Sequence, residues 1–345
     1  MQVEAAGLKE LRDRIQSVKN SAKITSAMKL VAAARVRRAQ EEVLITRPYH
    51  DKITQLMFEF NDILKDDDIK NVLTTVRPVK RVMLVCLTGE RGLCGAFNTT
   101  IIKKTEERYN ELTAMGVECG IYMVGKKGKD HFTRNRDKFK LVRYTPTTQR
   151  PTGYGSAIMA EYITALFTGG MFDKVELVFS KFVSLIKSTP TVRTFLPMTS
   201  TMGEMCDMDG TCVDAADDEM FRLTTNQGQL AVERFKVYRK PGQPIDMPDG
   251  RTTIPLRTLG KWPIFESPPT SLFDAILPMY LNGMLLRALQ ESIASELAAR
   301  MQAMGSATDN ANELKDAIRL KFNRMRQAKI TTELCEIVAG AAASE

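Results

Sequence analysis

From Leu8 to about Thr46 the apolar and small positions recur three and four apart, at Leu8, Leu11, Ile15, Val18, Ala22, Thr25, Ala32, Val36, Ala39, Val43 and Thr46. That rhythm predicts one uninterrupted helix with a coiled-coil seam. Lys29 interrupts the seam, Ile24, Met28 and Val31 form a second apolar flank, and Ala32, Ala33 and Ala34 permit a partner backbone to come close. Pro48 is expected to end this helix, because it lacks an N–H and its ring clashes with the preceding turn. At the other end, Leu272 to about Ala343 reads as a second helix with Pro278 as its one proline. There Ala311, Leu314, Ile318, Met325, Ala328, Thr332, Cys335 and Ala339 step by three, four or seven. At a rise of about 1.5 Å per residue the C-terminal helix would span on the order of 100 Å and the N-terminal one roughly 60 Å. An antiparallel pair would leave part of the longer helix projecting, which is the geometry of a shaft.

Between the helices the period changes. Val79 to Leu87 is an apolar strand, followed by the loop Thr88 to Gly95, a helix from about Phe97 to Met115 and a strand at Gly120 to Val124. A short helix near Lys127 to Asn135, a strand at Lys138 to Arg143, a helix at Gly155 to Phe167 and strands at Lys174 to Phe182 and Thr191 to Met198 continue the alternation. Alternating strands and helices predict a Rossmann-like α/β domain with a largely parallel sheet. From Thr199 to about Pro269 the composition turns to Gly, Pro, Asp and Thr, with a hairpin expected at Phe221 to Val232 around Asn226-Gln227-Gly228; this reads as a surface insertion. The expected fold class is α plus α/β, a long antiparallel coiled coil joined to an α/β domain that carries an insertion. Its expected segments are 1–60, 78–198, 199–269 and 270–345.

Composition narrows the function classes. With 345 residues and 43% hydrophobic side chains the chain can bury a substantial core, and no run of 18 or more apolar residues marks a membrane span. Residues Met1 to Gly7 show neither a transit nor a signal pattern, so any targeting segment is expected to be absent from this numbering. The net charge of +8 concentrates at Arg35 to Arg38, Lys126 to Lys140 and Lys315 to Lys329, which fits either nucleic acid or an acidic protein partner. Aromatics are sparse in the basic stretches, which counts against nucleic acid.

The loop Thr88-Gly-Glu-Arg-Gly-Leu-Cys-Gly95 follows a strand and opens a helix, where a phosphate-binding loop would lie, so a nucleotide-binding α/β enzyme is an alternative. Its glycine spacing matches neither dinucleotide nor P-loop patterns, which favours a structural turn, and the same holds for Gly125 to Gly128 with Lys126 and Lys127. His50 and His131, the two histidines, lie in unrelated contexts, and no catalytic residues, metal or cofactor are expected. Among six cysteines, Cys206 and Cys212 flank a five-residue turn-prone loop containing Gly210, so they are either a reversible disulfide pair or two free thiols. The acidic Asp214, Asp217, Asp218 and Glu219 follow at once and would raise a nearby thiol pKa. Near the C-terminus Arg324, Gln327 and Thr331 form a polar stripe that is either wet or a partner surface.

Several stretches together resemble the γ subunits of F-type ATP synthases. At the N-terminus they are Leu11-Arg-Asp-Arg-Ile-Gln-Ser-Val-Lys-Asn20 and Lys23-Ile-Thr-Ser-Ala-Met-Lys-Leu-Val-Ala-Ala-Ala34, and in the middle Gly89-Glu-Arg-Gly-Leu-Cys-Gly95. At the C-terminus they are Ala298-Ala-Arg-Met-Gln-Ala-Met304, Ala307-Thr-Asp-Asn-Ala311 and Arg326-Gln-Ala-Lys-Ile-Thr-Thr-Glu-Leu334. The resemblance implies a central rotor shaft turning inside an α3β3 head, with the α/β domain resting on the ε subunit and the membrane c-ring, and with the catalytic residues in β. It further implies that Met28 faces an acidic lever of β, and that Arg326, Gln327, Thr331 and Glu333 form the rotor–stator contact called the catch. Basic rotor surface would then meet acidic levers.

Residues Cys206 to Glu219 resemble the regulatory segment of chloroplast members. For these residues the resemblance implies a Cys206–Cys212 disulfide reduced by thioredoxin in the light and re-formed in the dark. The chain would then sit on the stromal side of the thylakoid membrane as a peripheral subunit, binding no nucleic acid. Met205 and Met208 depart from the usual branched residues, and Lys236 to Lys261 is longer and more Pro-rich than in plant relatives.

Overall fold

A computed structural model describes residues 2–66, 72–73, 77–197, 219–226, 229–236 and 269–342. In chain order the elements are α1 (Gln2–Asp66), β1 (Arg81–Leu87), α2 (Phe97–Ala114), β2 (Glu118–Val124), α3 (Lys126–Arg134), β3 (Leu141–Thr145), α4 (Gly153–Thr168), β4 (Lys174–Phe182), β5 (Ser188–Leu196), β6 (Glu219–Asn226), β7 (Gln229–Lys236) and α5 (Pro269–Ala342). The chain divides into two compact units. The first is Met1–Arg37, Leu93–Gly95 and Leu297–Glu345; the second is Arg38–Gly92 and Ala96–Glu296.

The second unit holds a five-stranded sheet in the order β3-β2-β1-β4-β5. β1 pairs parallel with both β2 and β4, and β3 pairs parallel with β2. Only β5 runs antiparallel, joined to β4 by a hairpin. β1 is Arg-Val-Met-Leu-Val-Cys-Leu, nearly all apolar because a central parallel strand is covered on both faces. Alternation assigns the faces. Val82 and Leu84 pack with Leu112, Val117 and Cys119 beneath α2. Met83, Val85 and Leu87 pack with Ile163 and Phe167 of α4, Ile53 of α1, and Leu277, Leu281, Leu285 and Leu289 of α5. In α2 the buried positions Ile101, Thr105, Arg108 and Leu112 recur at helical spacing, and α4 opens on Thr152, whose hydroxyl accepts from the Gly155 N–H at 3.2 Å.

Pro48 does not end α1; it lies inside the helix, as Pro278 lies inside α5. The lost backbone bond is outweighed by packing on either side of it. Val43, His50 and Ile53 are buried, the Thr46 hydroxyl donates to Gln290 Oε1 at 2.8 Å, and His50 stacks on Tyr280 with ring centroids 6.0 Å apart. The sheet strands lie within three residues of their expected starts. The largest shifts, of three residues, are at β5, which begins at Ser188 instead of Thr191, and at β3, which begins at Leu141 instead of Lys138 because the Lys138 N–H is held by the Asn135 carbonyl in a turn. The hairpin expected around Asn226 is the β6–β7 pair, with Glu219 opposite Lys236 in register.

In the first unit α1 and α5 run antiparallel. A Cβ placed on Gly7 would lie 3.5 Å from Met325, the Thr308 hydroxyl donates to Thr25 Oγ1 at 2.8 Å, and the Lys29 stem lies 3.5 Å from a Cβ placed on Gly305. Eighteen residues along α1 thus match seventeen back along α5. All eleven expected seam positions on α1 are buried or half-buried. The second flank is not a core face, since Ile24 and Val31 are exposed. On α5 the inward positions are Met304, Thr308, Ala311, Lys315, Ile318, Phe322, Met325 and Lys329, stepping alternately by four and three. The expected α5 seam is therefore corrected: Leu314, Ala328, Thr332, Cys335 and Ala339 are exposed.

Candidate functional site

Three places could carry function. The first is the last stretch of α5. Arg326, Gln327, Thr331 and Glu333 are all exposed there, with the Thr331 hydroxyl turned back to the Gln327 carbonyl at 2.9 Å and Lys329 paired to Glu333 at 3.5 Å. Every residue from Ile330 to Ala339 is exposed, including Leu334, Ile337 and Val338. So many exposed apolar side chains on one helix end make it a candidate partner surface. Met28, on α1, is half-buried. The structure thus brings Arg326, Gln327, Thr331 and Glu333 together on one helix, while Met28 stands on another.

The second place is the loop after β1. The Thr88 amide donates to the Val124 carbonyl at 2.8 Å, its hydroxyl bonds the same carbonyl at 3.0 Å, and that hydroxyl accepts from the Gly128 amide at 2.9 Å. The Gly89 amide donates to Asn98 Oδ1 at 2.9 Å and its carbonyl accepts from the Lys127 amide at 3.1 Å. Glu90 Oε1 accepts from the Thr147 amide at 2.6 Å. The Thr88 and Gly89 amides and the Glu90 carboxylate are thus engaged by neighbouring segments. Gly125 stands at φ +99 with its Cβ direction blocked by the Thr88 carbonyl, so the glycines here serve the turn itself.

The third place is the cysteine set. Burial pushes the Cys86 thiol up to about 12, against the lowering effect of its bond from Thr105, and burial likewise raises Cys119 to about 12. Cys94 is buried and Cys335 is exposed. Cys206, Cys212, Asp214, Asp217 and Asp218 lie outside the described residues, and Glu219 opens β6.

Sequence reasoning missed a buried charge cluster. Glu176 and Lys174, both fully buried, are 2.9 Å apart, and Arg108 holds Glu176 through two 2.8 Å hydrogen bonds. Burial alone would push the Glu176 carboxyl up, but the Arg108 and Lys174 charges and hydrogen bonds outweigh it and hold the carboxyl at about 2. The signal was two charges inside the apolar run Lys-Val-Glu-Leu-Val-Phe of β4. His131 bonds Glu106 at 2.8 Å on the surface, and no group of three or more metal-ligating side chains occurs among the described residues.

One unit is an α/β sheet and the other an antiparallel helix pair, and α1 and α5 each contribute residues to both. The profile of the family described as ATP synthase matches residues 7–343. The chain is 52% identical to the chloroplastic ATP synthase gamma chain of Chlamydomonas reinhardtii, over 98% of this chain and 90% of that protein. It is 50% identical to that of Spinacia oleracea, over 98% and 88%. A chain of the cryo-EM structure of the Euglena gracilis mitochondrial ATP synthase has a similar fold, with a TM-score of 0.61 at 17% identity over 98% of this chain and 95% of that one. This chain belongs to the family of ATP synthase γ chains.

Proposed function

We propose that this chain is the central stalk of a chloroplast-type F-type ATP synthase, a non-catalytic rotor that couples rotation of a membrane c-ring to ATP synthesis in an α3β3 head. The carrying observation is the end of α5, where Arg326, Gln327, Thr331 and Glu333 share one helix with exposed Ile330, Leu334, Ile337 and Val338. An apolar helix end with a polar stripe fits a sleeve of stator subunits, in which the four polar residues form the catch and Met28 faces an acidic lever of β. The surplus of positive charge complements such levers. The α/β domain is assigned to contacts with ε and the c-ring. No described helix is long and apolar enough to cross a membrane, which accords with attachment through the complex on the stromal side of the thylakoid.

The same reading makes Cys206 and Cys212 a redox switch. A thioredoxin thiolate attacks the disulfide, a mixed disulfide forms, and the second thioredoxin thiol resolves it, leaving two thiols here and a disulfide on the reductant. Asp214, Asp217, Asp218 and Glu219 form the acidic part of the regulatory segment. The buried thiols Cys86 and Cys119, raised to about 12, would stand aside from that exchange.

The test is reconstitution with α and β subunits. ATPase activity should rise on reduction by thioredoxin and should not respond in Cys206→Ser, while Arg326→Ala should lower turnover in either redox state. An assembled enzyme indifferent to Arg326→Ala would remove the catch assignment, and an unchanged redox response in Cys206→Ser would remove the switch.

A further inference from the structure

In the sheet order β3-β2-β1-β4-β5 the chain winds outward through β2 and β3 on one side of β1 and through β4 and β5 on the other. Between β1 and β4, at their C-terminal ends, lies the topological switch point, where open α/β sheets form a crevice and bind their ligands. Here two consecutive residues of α5 straddle that point. The buried Ser295 hydroxyl donates to the carbonyl of buried Ser180, near the end of β4, at 3.2 Å. The Glu296 carboxylate lies over Gly89, two residues past the end of β1. A Cβ at Gly89 would stand 2.8 Å from Glu296 Cδ, 2.9 Å from Oε1 and 3.0 Å from Oε2.

Gly89 has an unremarkable φ, so the turn itself does not demand glycine there; the absence of a side chain leaves the space that the Glu296 carboxylate fills. The surroundings favour an anion. Lys127 lies with its ammonium 3.9 Å from a Cβ placed on Gly92, and Arg91 belongs to the same loop. The loop's own carboxylate, Glu90, is engaged by the Thr147 amide.

We propose that the ligand crevice of this α/β fold is occupied in cis by the Glu296 carboxylate, so that the loop from Thr88 to Gly92 binds helix α5 as such loops elsewhere bind an anionic ligand. The crevice becomes a docking socket for the helix. It holds the loop closed and denies the position to a free anion. This goes beyond the rotor assignment and stands on the geometry of one unit alone.

The test is amide hydrogen exchange of the full-length chain at Thr88 to Gly92, with β2 and β3 as internal controls for folding. Glu296→Ala should exchange about tenfold faster in the loop, as expected when a charged anchor is lost. Sodium acetate should restore protection in Glu296→Ala by refilling the vacated position, and should leave the unsubstituted chain unchanged. Gly89→Ala pushes the flexible carboxylate aside and should loosen the loop too, but acetate should not rescue it, because the new methyl group fills the space. Should Glu296→Ala fail to fold, Glu296→Gln keeps the shape without the charge and should still speed loop exchange. Loop exchange unchanged in these variants, or acetate acting equally on the unsubstituted chain, overturns the proposal.

Discussion

Arg108 grips Glu176 through Nε and Nη2, both at 2.8 Å, between side chains that are 3% and 0% exposed, and Lys174 closes the other side of the same carboxylate at 2.9 Å. The pair joins α2 to the N-terminal part of β4. Removing one partner strands a buried charge. Arg108→Met is expected to lower stability by about 3 kcal/mol, seen as a lower midpoint in urea unfolding. An unaltered midpoint would show that Lys174 alone satisfies the carboxylate.

Acid sensitivity follows from the same residue. The Glu176 carboxyl is lowered from 4.5 to about 2 in the folded chain. A depressed carboxyl contributes stability above its unfolded pKa and loses it as pH falls through the folded value. Stability should therefore drop between about pH 4.5 and pH 2, and Glu176→Gln should flatten that part of the profile while lowering stability at neutral pH. Equal slopes in the two proteins would assign the acid transition to other groups.

Gly125 is the position in the loop region least able to accept a side chain. Its φ is +99, and a Cβ would fall 2.1 Å from the Thr88 carbonyl oxygen, a backbone atom that cannot swing aside. Gly125→Ala is expected to cost about 3 kcal/mol or to prevent folding, whereas Gly153→Ala, where nothing lies within 4 Å, should be tolerated. Thermal melts of the two variants check this.

The Thr25–Thr308 bond of 2.8 Å fixes the register of the helix pair in the first unit. Thr25→Val or Thr308→Val alone should destabilise by about 1 kcal/mol by removing the interhelical bond, the remaining hydroxyl keeping a carbonyl of its own helix, Met304 at 2.8 Å or Ala22 at 3.1 Å, and the double variant should lose less than the sum of the two. A strictly additive double variant would mean the hydroxyls act independently.

Thiol labelling separates the cysteines. Among the four described ones, Cys335 should react with maleimide in the folded chain, while Cys86, Cys94 and Cys119 should wait for denaturant. Mass spectrometry of the labelled peptides provides the readout.

Much of the candidate site was readable because it depends on local information. The exposed polar stripe of α5, with Arg326, Gln327 and Thr331, followed from helical spacing, and the Thr88 to Gly95 loop was read as a structural turn from its glycine spacing. The α5 seam was misphased because Leu314, the apolar residue, is exposed while Lys315 is the inward position; small and polar residues there make the seam ambiguous to periodicity. Pro48 is a stop signal for an isolated helix, but burial of His50 and Ile53 on the far side carries α1 through it.

The sequence by itself determined the kinds of elements and their order, since repeats of two and of three to four residues are properties of the chain alone and extend over enough turns to be unmistakable. The tertiary structure decided which charges meet in the interior and which carboxylate enters the crevice. Lys174, Glu176 and Arg108 are separated by up to 68 residues, and Gly89 and Glu296 by far more. Nothing in a linear pattern brings Arg108 within 3 Å of Glu176 or sets the Glu296 carboxylate over Gly89; only the order of strands and the path of α5 across them does.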